Sequence, residues 1–342
     1  MSKVYFLKLK EKNPQKLIEA GRKISGLFPN FFDSNDKVAI KLHFGEEGND
    51  TYLNPILVRT IYENLKNKVK EPVLIDCTVL YKGRRALASS HKELAKEHGF
   101  DFAPIVIADG ERGDEEIKIP VGQKHFSEVK IGKALENFNS LLVISHLTGH
   151  ILTGFGGALK NIGMGLGSKG GKLEMHQAFN LKIRKTSCIG CGICQRECPA
   201  EAITIKNNKA EINQAKCIGC GKCIAICSQG AVEIPWADSS SRDLQERIVE
   251  YTFGVLKNRK AFFINVLMDI TPGCDCQKGK QQPMMEDIGI LGSCDIVAID
   301  QASLDLAGKD KFKKPGVDPS IKINYAQKLG LGEKDYQLVE IN

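Results

Sequence analysis

Long apolar runs are missing from this sequence. None of its 342 residues belongs to a stretch approaching the ~20 apolar positions that a membrane-spanning helix requires, so no such helix is expected. The first segment, MSKVYFLKLKEKN, has no apolar core followed by a cleavage site, and no secretory leader is expected from it. A strong excess of one charge is missing as well. Lys and Arg number 48 against 41 Asp and Glu, a net +7, and the basic residues are dispersed apart from KDKFKK at 309–314. That balance describes a solvated surface and not a nucleic-acid footprint. No G-x-x-x-x-G-K-S/T string aligns, and no G-x-G-x-x-G follows a strand cleanly, so neither nucleotide-binding loop is expected. With 42% hydrophobic and 26% charged residues, the chain is that of a soluble globular protein long enough for two domains.

Cysteine is what the chain has in abundance, with twelve residues. Eight of them fall into CIGCGICQRECP and CIGCGKCIAICS, one pattern written twice. Cys188, Cys191, Cys194 and Cys198 recur at an offset of 29 as Cys217, Cys220, Cys223 and Cys227, and Ile203 and Val232 keep that offset. C-x2-C-x2-C-x3-C is the bacterial ferredoxin spacing, in which the fourth cysteine of each run serves the other run's cluster. Cys188, Cys191, Cys194 and Cys227 are thereby assigned to one 4Fe–4S cluster, and Cys217, Cys220, Cys223 and Cys198 to a second. Three thiolates converging on one small body demand a tight coil, which Gly190, Gly192, Gly219 and Gly221 permit. Pro199 stands where a proline usually follows the fourth cysteine; Ser228 replaces it in the second run. A zinc site uses paired ligands without the triple string, and a disulfide scaffold is a short secreted chain. This cysteine use places the protein in a reducing compartment, the cytoplasm of an anaerobe or another low-oxygen organism.

Along the rest of the chain, apolar runs at 3–9, 38–42, 72–76, 103–107 and 141–145 read as strands, and the segments 13–26, 54–68 and 84–98 between them as helices. The alternation resumes after the cysteines with a serine-capped helix at 239–258 and strands at 261–268, 288–291 and 296–300. Helix 301–308 and a closing strand YQLVEI follow. The expected architecture is α/β, a mostly parallel-sheet domain of residues 1–180 and 236–342. An inserted two-cluster ferredoxin-like module of α+β type, 181–235, interrupts it. In parallel sheets ligands sit beyond the carboxyl ends of strands, and the loops opening at His43 and His146 both qualify.

Three constellations outside the clusters carry chemistry. Residues 145–176 hold His146, His150 and His176 with Lys160, Lys169 and Lys172 in a stretch crowded with glycine. Such glycine costs folding entropy that close backbone approach to a ligand would offset; Gly156, Gly157, Lys160 and Lys169 are the expected cofactor- or anion-binding residues, the anion held by backbone amides and lysines. PGCDC places Cys274 and Cys276 one residue apart, too close for an unstrained mutual disulfide, and able to bind a metal jointly with a histidine; Cys77 and Cys294 read as inert thiols. His43, with Glu46, offers an imidazole and a carboxylate at a strand end for acid–base or ligand use.

KLHFGEEGN, GHILTGFGGALKNIGMGLGSKGGKLEMH, the paired cysteine strings and DIGILGSCDIVAIDQASLDL together resemble the domain of unknown function 362 family of iron–sulfur proteins. The resemblance covers nearly the whole chain and implies two 4Fe–4S clusters and no particular reaction. GFGGALK, with His150 ten residues before Lys160 and His176 sixteen after it, also resembles the nickel-pincer lactate racemase family locally. That resemblance implies His150 as a proton-transferring base, Lys160 as the cofactor-anchoring lysine and His176 as a metal ligand. The family's T-G-x-H-R motif has no counterpart in DCTVLYKGRR at 76–85, nor does the family carry a ferredoxin insert.

Three functions are compatible with these features. The first is an iron–sulfur oxidoreductase whose clusters pass electrons to a substrate or metal site in the α/β domain. There an oxidised, anionic small molecule binds through Lys160 and backbone amides, and His150 or His43 supplies protons. The second is an electron-transfer protein without chemistry of its own, and the third a racemase-like metal-cofactor protein with structural clusters. The glycine–histidine stretch argues against a passive carrier, and the cluster pair against a racemase, which needs no net electrons. From 181 to 235 eight Lys and Arg face four Glu, a surface suited to an acidic electron-carrier protein such as a ferredoxin or flavodoxin.

Overall fold

The computed structural model describes residues 1–27, 31–177, 180–234 and 240–341. Its centre is an eight-stranded sheet. In spatial order the strands are Tyr336–Glu340, Ser2–Lys8, Gly289–Ser293, Lys260–Leu267, Ser140–His146, Val38–Lys41, Val73–Asp76 and Ile105–Ile107. The last five form one parallel block, from Lys260–Leu267 through Ser140–His146 to Ile105–Ile107. Gly289–Ser293 runs antiparallel to both neighbours, and Ser2–Lys8 pairs in parallel with Tyr336–Glu340.

Every residue of the central strand Ser140–His146 is buried, because helices cover both faces, and its sequence is accordingly apolar without alternation. One apolar cluster lies under Pro14–Ser25 and Pro55–Lys66, with Ile24, Leu57 and Ile61 against Ile40 and Ile144. The other face carries Ala158–Leu166, Ser241–Leu256 and Ile296–Ala307, with Ile162, Ile248 and Val297 over Val143 and Leu291. Asn13, Asn54 and Ser240 cap the first residues of their helices, each satisfying a backbone N–H that has no intrahelical partner.

Two expectations change at the level of elements. IVAID at 296–300 is not a strand but the first half of the helix Ile296–Ala307. The Asp295 carboxylate accepts from the N–H groups of Val297 and Ala298, both near 2.9 Å, and the segment is apolar because it is buried all round. The glycine-crowded stretch is likewise no loop. It folds into two short strands and the helices Ala158–Leu166 and Lys169–Met175.

Residues Lys182–Glu233 stand outside the large sheet as two small antiparallel pairs, Ile203–Lys206 with Lys209–Ile212 and Lys182–Ile183 with Val232–Glu233. Ile203 faces Ile212 and Val232 faces Ile183. Adding 29 to 203 and 183 gives 232 and 212, so the repeat that spaces the cysteines also sets the pairing. The second junction expected at 235/236 lies outside the described residues. Among the described residues no helix is long and apolar enough to cross a membrane.

Candidate functional site

Four neighbouring parallel strands end on one side of the sheet, and each delivers polar side chains to the same cavity of about 390 Å³. Val38–Lys41 leads to His43, Val73–Asp76 to Tyr81 and Arg85, Ser140–His146 to His150, and Lys260–Leu267 to Cys274, Asp275 and Cys276. Gly156 and Gly157, just before the first of the two helices that follow His150, Lys160 within it and His176 at the end of the second also reach it. The sequence named three of these four loops, at His43, at His146–His150 and at Cys274–Cys276. The loop after Val73–Asp76 was overlooked although Asp76, a charge at the end of a buried strand, marked it.

Asp76 organises one wall. Buried to 1% exposure, its carboxylate takes Arg85 at 2.9 Å and Lys41 at 3.2 Å, with His91 at 3.7 Å. Burial opposes its charge, but Lys41 and Arg85 hold the carboxyl well below its usual range. Arg85 extends from this pair to the Tyr81 hydroxyl at 3.2 Å and to His43 Nε2 at 2.5 Å. The other ring nitrogen of His43 accepts from the Gly45 N–H at 3.0 Å. Both nitrogens thus face donors, and burial together with Arg85 pushes the ring's pKa well down. A neutral ring carries one proton and can accept from only one of these two donors, so neither nitrogen is free for a ligand's proton while both contacts stand.

His150 is set for the opposite role. Its Nδ1 accepts the N–H groups of Leu152 and Thr153 at 3.2 and 3.1 Å, so the neutral ring carries its proton on Nε2 and is a donor. Burial and then Lys160 keep it uncharged. His176 is neutral for the same reasons, lowered to about 4, which leaves it fit for metal ligation or proton transfer. Burial lowers the Lys160 ammonium to about 8, with Asp275 opposing the shift; among the described residues it has neither an ion pair nor a hydrogen bond. His146 does not serve the cavity as a free base. Its Nε2 meets the Met268 carbonyl at 2.7 Å and its Nδ1 the Asp275 carboxylate at 2.9 Å. Burial disfavours the imidazolium, yet Asp275 outweighs it and raises the pKa.

The glycines do not play the expected part. A Cβ on Gly157 would lie 2.4 Å from Asp300 Oδ1, because the buried Asp300 carboxylate already occupies the N–H groups of Ala158 and Leu159 at 2.7 and 3.1 Å. The helix start is thereby closed to an outside anion. Gly163 lets Ala158–Leu166 pack on Ser241–Leu256, where a Cβ would lie 2.1 Å from the Ile248 carbonyl. Lys169 is also reassigned. It is fully buried outside the cavity lining, donates to the Ala86 carbonyl at 2.9 Å, and lays its methylenes against Gly221 of the second cysteine string.

Cys274 and Cys276, expected to be too close in sequence for an unstrained mutual disulfide, are joined as a disulfide with Cα atoms 5.2 Å apart. Asp275 between them turns back to His146, which sends both cysteines to the same side. Cys77, buried in the cavity wall, is an uncombined thiol pushed up by burial and then by Asp109; Cys294 is exposed.

The eight remaining cysteines gather in two crossed groups. The Cys194 thiol is raised by burial and then by Cys191, Cys227 and Cys188. Burial and then Cys220 and Cys217, with Cys194 and Cys198 also acting, push Cys223 up to about 12. Gly190 and Gly219 have φ of 67° and 66°, and Gly192 and Gly221 72° and 71°, left-handed turns that glycine adopts without cost. Ala202 and Ala231 donate their N–H groups to Cys198 and Cys227 sulfurs at 3.3 and 3.2 Å, again at the 29-residue offset. Cys223 packs with Leu80, Leu173 and Leu181, and Leu80 is also part of the cavity wall.

Residues 38–305 match the family model described as Domain of unknown function (DUF362). The chain belongs to this family. The matched segment of this DUF362 protein contains the cysteine groups and the cavity-lining residues. Two solved structures resemble it at 12% identity. One is a crystal structure of a protein from Thermotoga maritima, TM-score 0.44, covering 94% of this chain and 61% of its own. The other is the lactate racemase apoprotein from Thermoanaerobacterium thermosaccharolyticum, TM-score 0.37, covering 79% and 51%. The chain thus spans between half and two thirds of each structure's length. No curated protein matches the chain.

Proposed function

We propose that this DUF362 protein is an iron–sulfur oxidoreductase in which two 4Fe–4S clusters, in a ferredoxin-like module of residues 181–235, feed a ligand cavity of the α/β domain. The observation that carries the reading is the crossed grouping of the cysteines with one group set against the cavity wall through Leu80. Bound clusters would supply and accept single electrons. The residues present fit them. Cys194 interacts electrostatically with Cys191, Cys227 and Cys188, Cys220 with Cys198 and Cys217, and backbone N–H groups point at the sulfurs of Cys188, Cys198 and Cys227.

The exposed Cys191 marks where electrons enter. Ile189 and Ile193 lie exposed beside it, and the surrounding Lys and Arg excess suits an acidic carrier protein in the cytoplasm. In the cavity Lys160 faces an oxidised, anionic substrate, and His150 gives a proton from Nε2. His176, and Cys274 and Cys276 once their disulfide is opened, are the groups that a further metal would use.

The test is anaerobic purification with all transition metals quantified per chain, followed by reduction with an acidic ferredoxin at rising salt. Iron near ~8 per chain and a reduction rate that falls with ionic strength are expected. Zinc in place of iron would overturn the cluster reading, and a salt-independent rate the docking surface.

A further inference from the structure

A second feature of the cavity points beyond binding. Cys274 is 6% exposed, Cys276 is half-buried, and both line the cavity with Lys160 and His150. The turn that carries them is held at every step. Gly149 N–H donates to the Thr271 carbonyl at 2.7 Å, Glu46 N–H to the Asp275 carbonyl at 3.1 Å, and Gln277 N–H to the Cys274 carbonyl at 3.0 Å. Gln281 adds a contact to the Cys274 carbonyl at 3.2 Å and receives the Gly273 N–H at 3.1 Å. The His146–Asp275 ion pair fixes the residue between the sulfurs. None of these bonds involves a sulfur, so none is lost when the sulfur–sulfur bond opens, and the turn would hold the thiols side by side when reduced.

We propose that Cys274 and Cys276 form a reversible thiol/disulfide couple that collects two electrons from the two clusters, one from each, and holds them as a pair for the substrate of the cavity. This rests on the cluster reading above. The step balances as one S–S bond broken, two electrons taken up and two protons bound, giving two thiols; each cluster is oxidised by one electron and no other reductant is consumed. Geometry supplies the route and the protons. Leu80 belongs both to the apolar cluster against which Cys223 packs and to the cavity wall, while Lys160, which among the described residues has neither an ion pair nor a hydrogen bond, and the Nε2–H of His150 face the same space.

The experiment is a reductive titration of anaerobically purified protein with titanium(III) citrate, in the wild type and in Cys276→Ser. Thiols are read by alkylation of the tryptic peptide 261–278, whose only cysteines are this pair. The wild type should take up about four electrons per chain, two into clusters and two into the couple, and the peptide should pass from no alkyl groups to two. Cys276→Ser should take up about two with its iron unchanged. About two electrons in both proteins, with iron and cluster bleaching intact, would overturn the couple and leave the clusters standing. A peptide unlabelled in both states, with a further transition metal that Cys276→Ser loses, would overturn it in favour of metal ligation. Absence of iron or of bleaching would remove the cluster reading itself.

Discussion

Asp76 illustrates how a single side chain can be both structural and poised for use. Its carboxylate balances Lys41 and Arg85 where all three are buried, and removing the charge leaves Lys41 without an ion-pair partner and Arg85 with only Glu46, 3.8 Å away. Asp76→Asn is expected to destabilise the protein by about 3–5 kcal/mol, measured by chemical denaturation. The sign of its pH dependence follows from the lowered pKa. Because the folded carboxyl ionises more readily than its ordinary value of 3.8, its stabilisation is fully present above that value and is lost as pH falls below it. Wild type should therefore lose stability in that acid range faster than Asp76→Asn. Little of this was legible beforehand. Lys41 and Asp76 lie far apart in sequence and meet because Val38–Lys41 and Val73–Asp76 are adjacent parallel strands. By contrast, His43, His150, Lys160 and His176 were named from the sequence as imidazoles and a lysine at strand ends and in a glycine-crowded stretch, and the fold brings all four to one cavity.

Elements were read well where the apolar period was clean. The strands at 38–42, 72–76 and 141–145 and the helices near 13–26 and 54–68 agree with the structure to within a residue or two. Two failures share one cause, tertiary contact overriding local preference. IVAID contains enough β-branched residues to read as a strand, but Asp295 caps it and burial on every side makes a helix apolar throughout. The glycines of 154–171 read as a ligand loop, yet several of them admit close packing between helices instead. Gly163 tests that account. Gly163→Ala adds a methyl group 2.1 Å from a carbonyl of the opposing helix, and the helices must separate. A loss of about 1–3 kcal/mol is expected although alanine has the higher helix propensity, and a gain in melting temperature would refute the packing role.

At the scale of the whole molecule, the cysteine segment touches the rest through few charged contacts. Lys222 lies 3.4 Å from Asp114, Lys82 donates to the Ser228 carbonyl at 2.8 Å, and Arg112 pairs with Glu197. Exposed pairs of this kind contribute little each, about 0–1 kcal/mol, and the Leu80–Leu173–Leu181 contact is the apolar part of the joint. The repeat itself was fully legible as a 29-residue offset; its position against the cavity was not, because no local pattern encodes which face an inserted segment meets. The strands Lys182–Ile183 and Val232–Glu233 pair with each other, so the two ends of the cysteine segment lie about 5 Å apart, the spacing of neighbouring strands. A gap that narrow can be bridged by a two-residue turn. Deleting 184–231 and joining the flanking strands through Asn-Gly should leave an eight-stranded sheet with an unchanged thermal transition and no visible absorbance; unfolding of the remainder would show that the segment is a structural part of its host. In engineering terms the chain has a socket: the cysteine cartridge enters and leaves through one doorway, and a different cartridge with closely spaced ends could be seated there without redrawing the sheet.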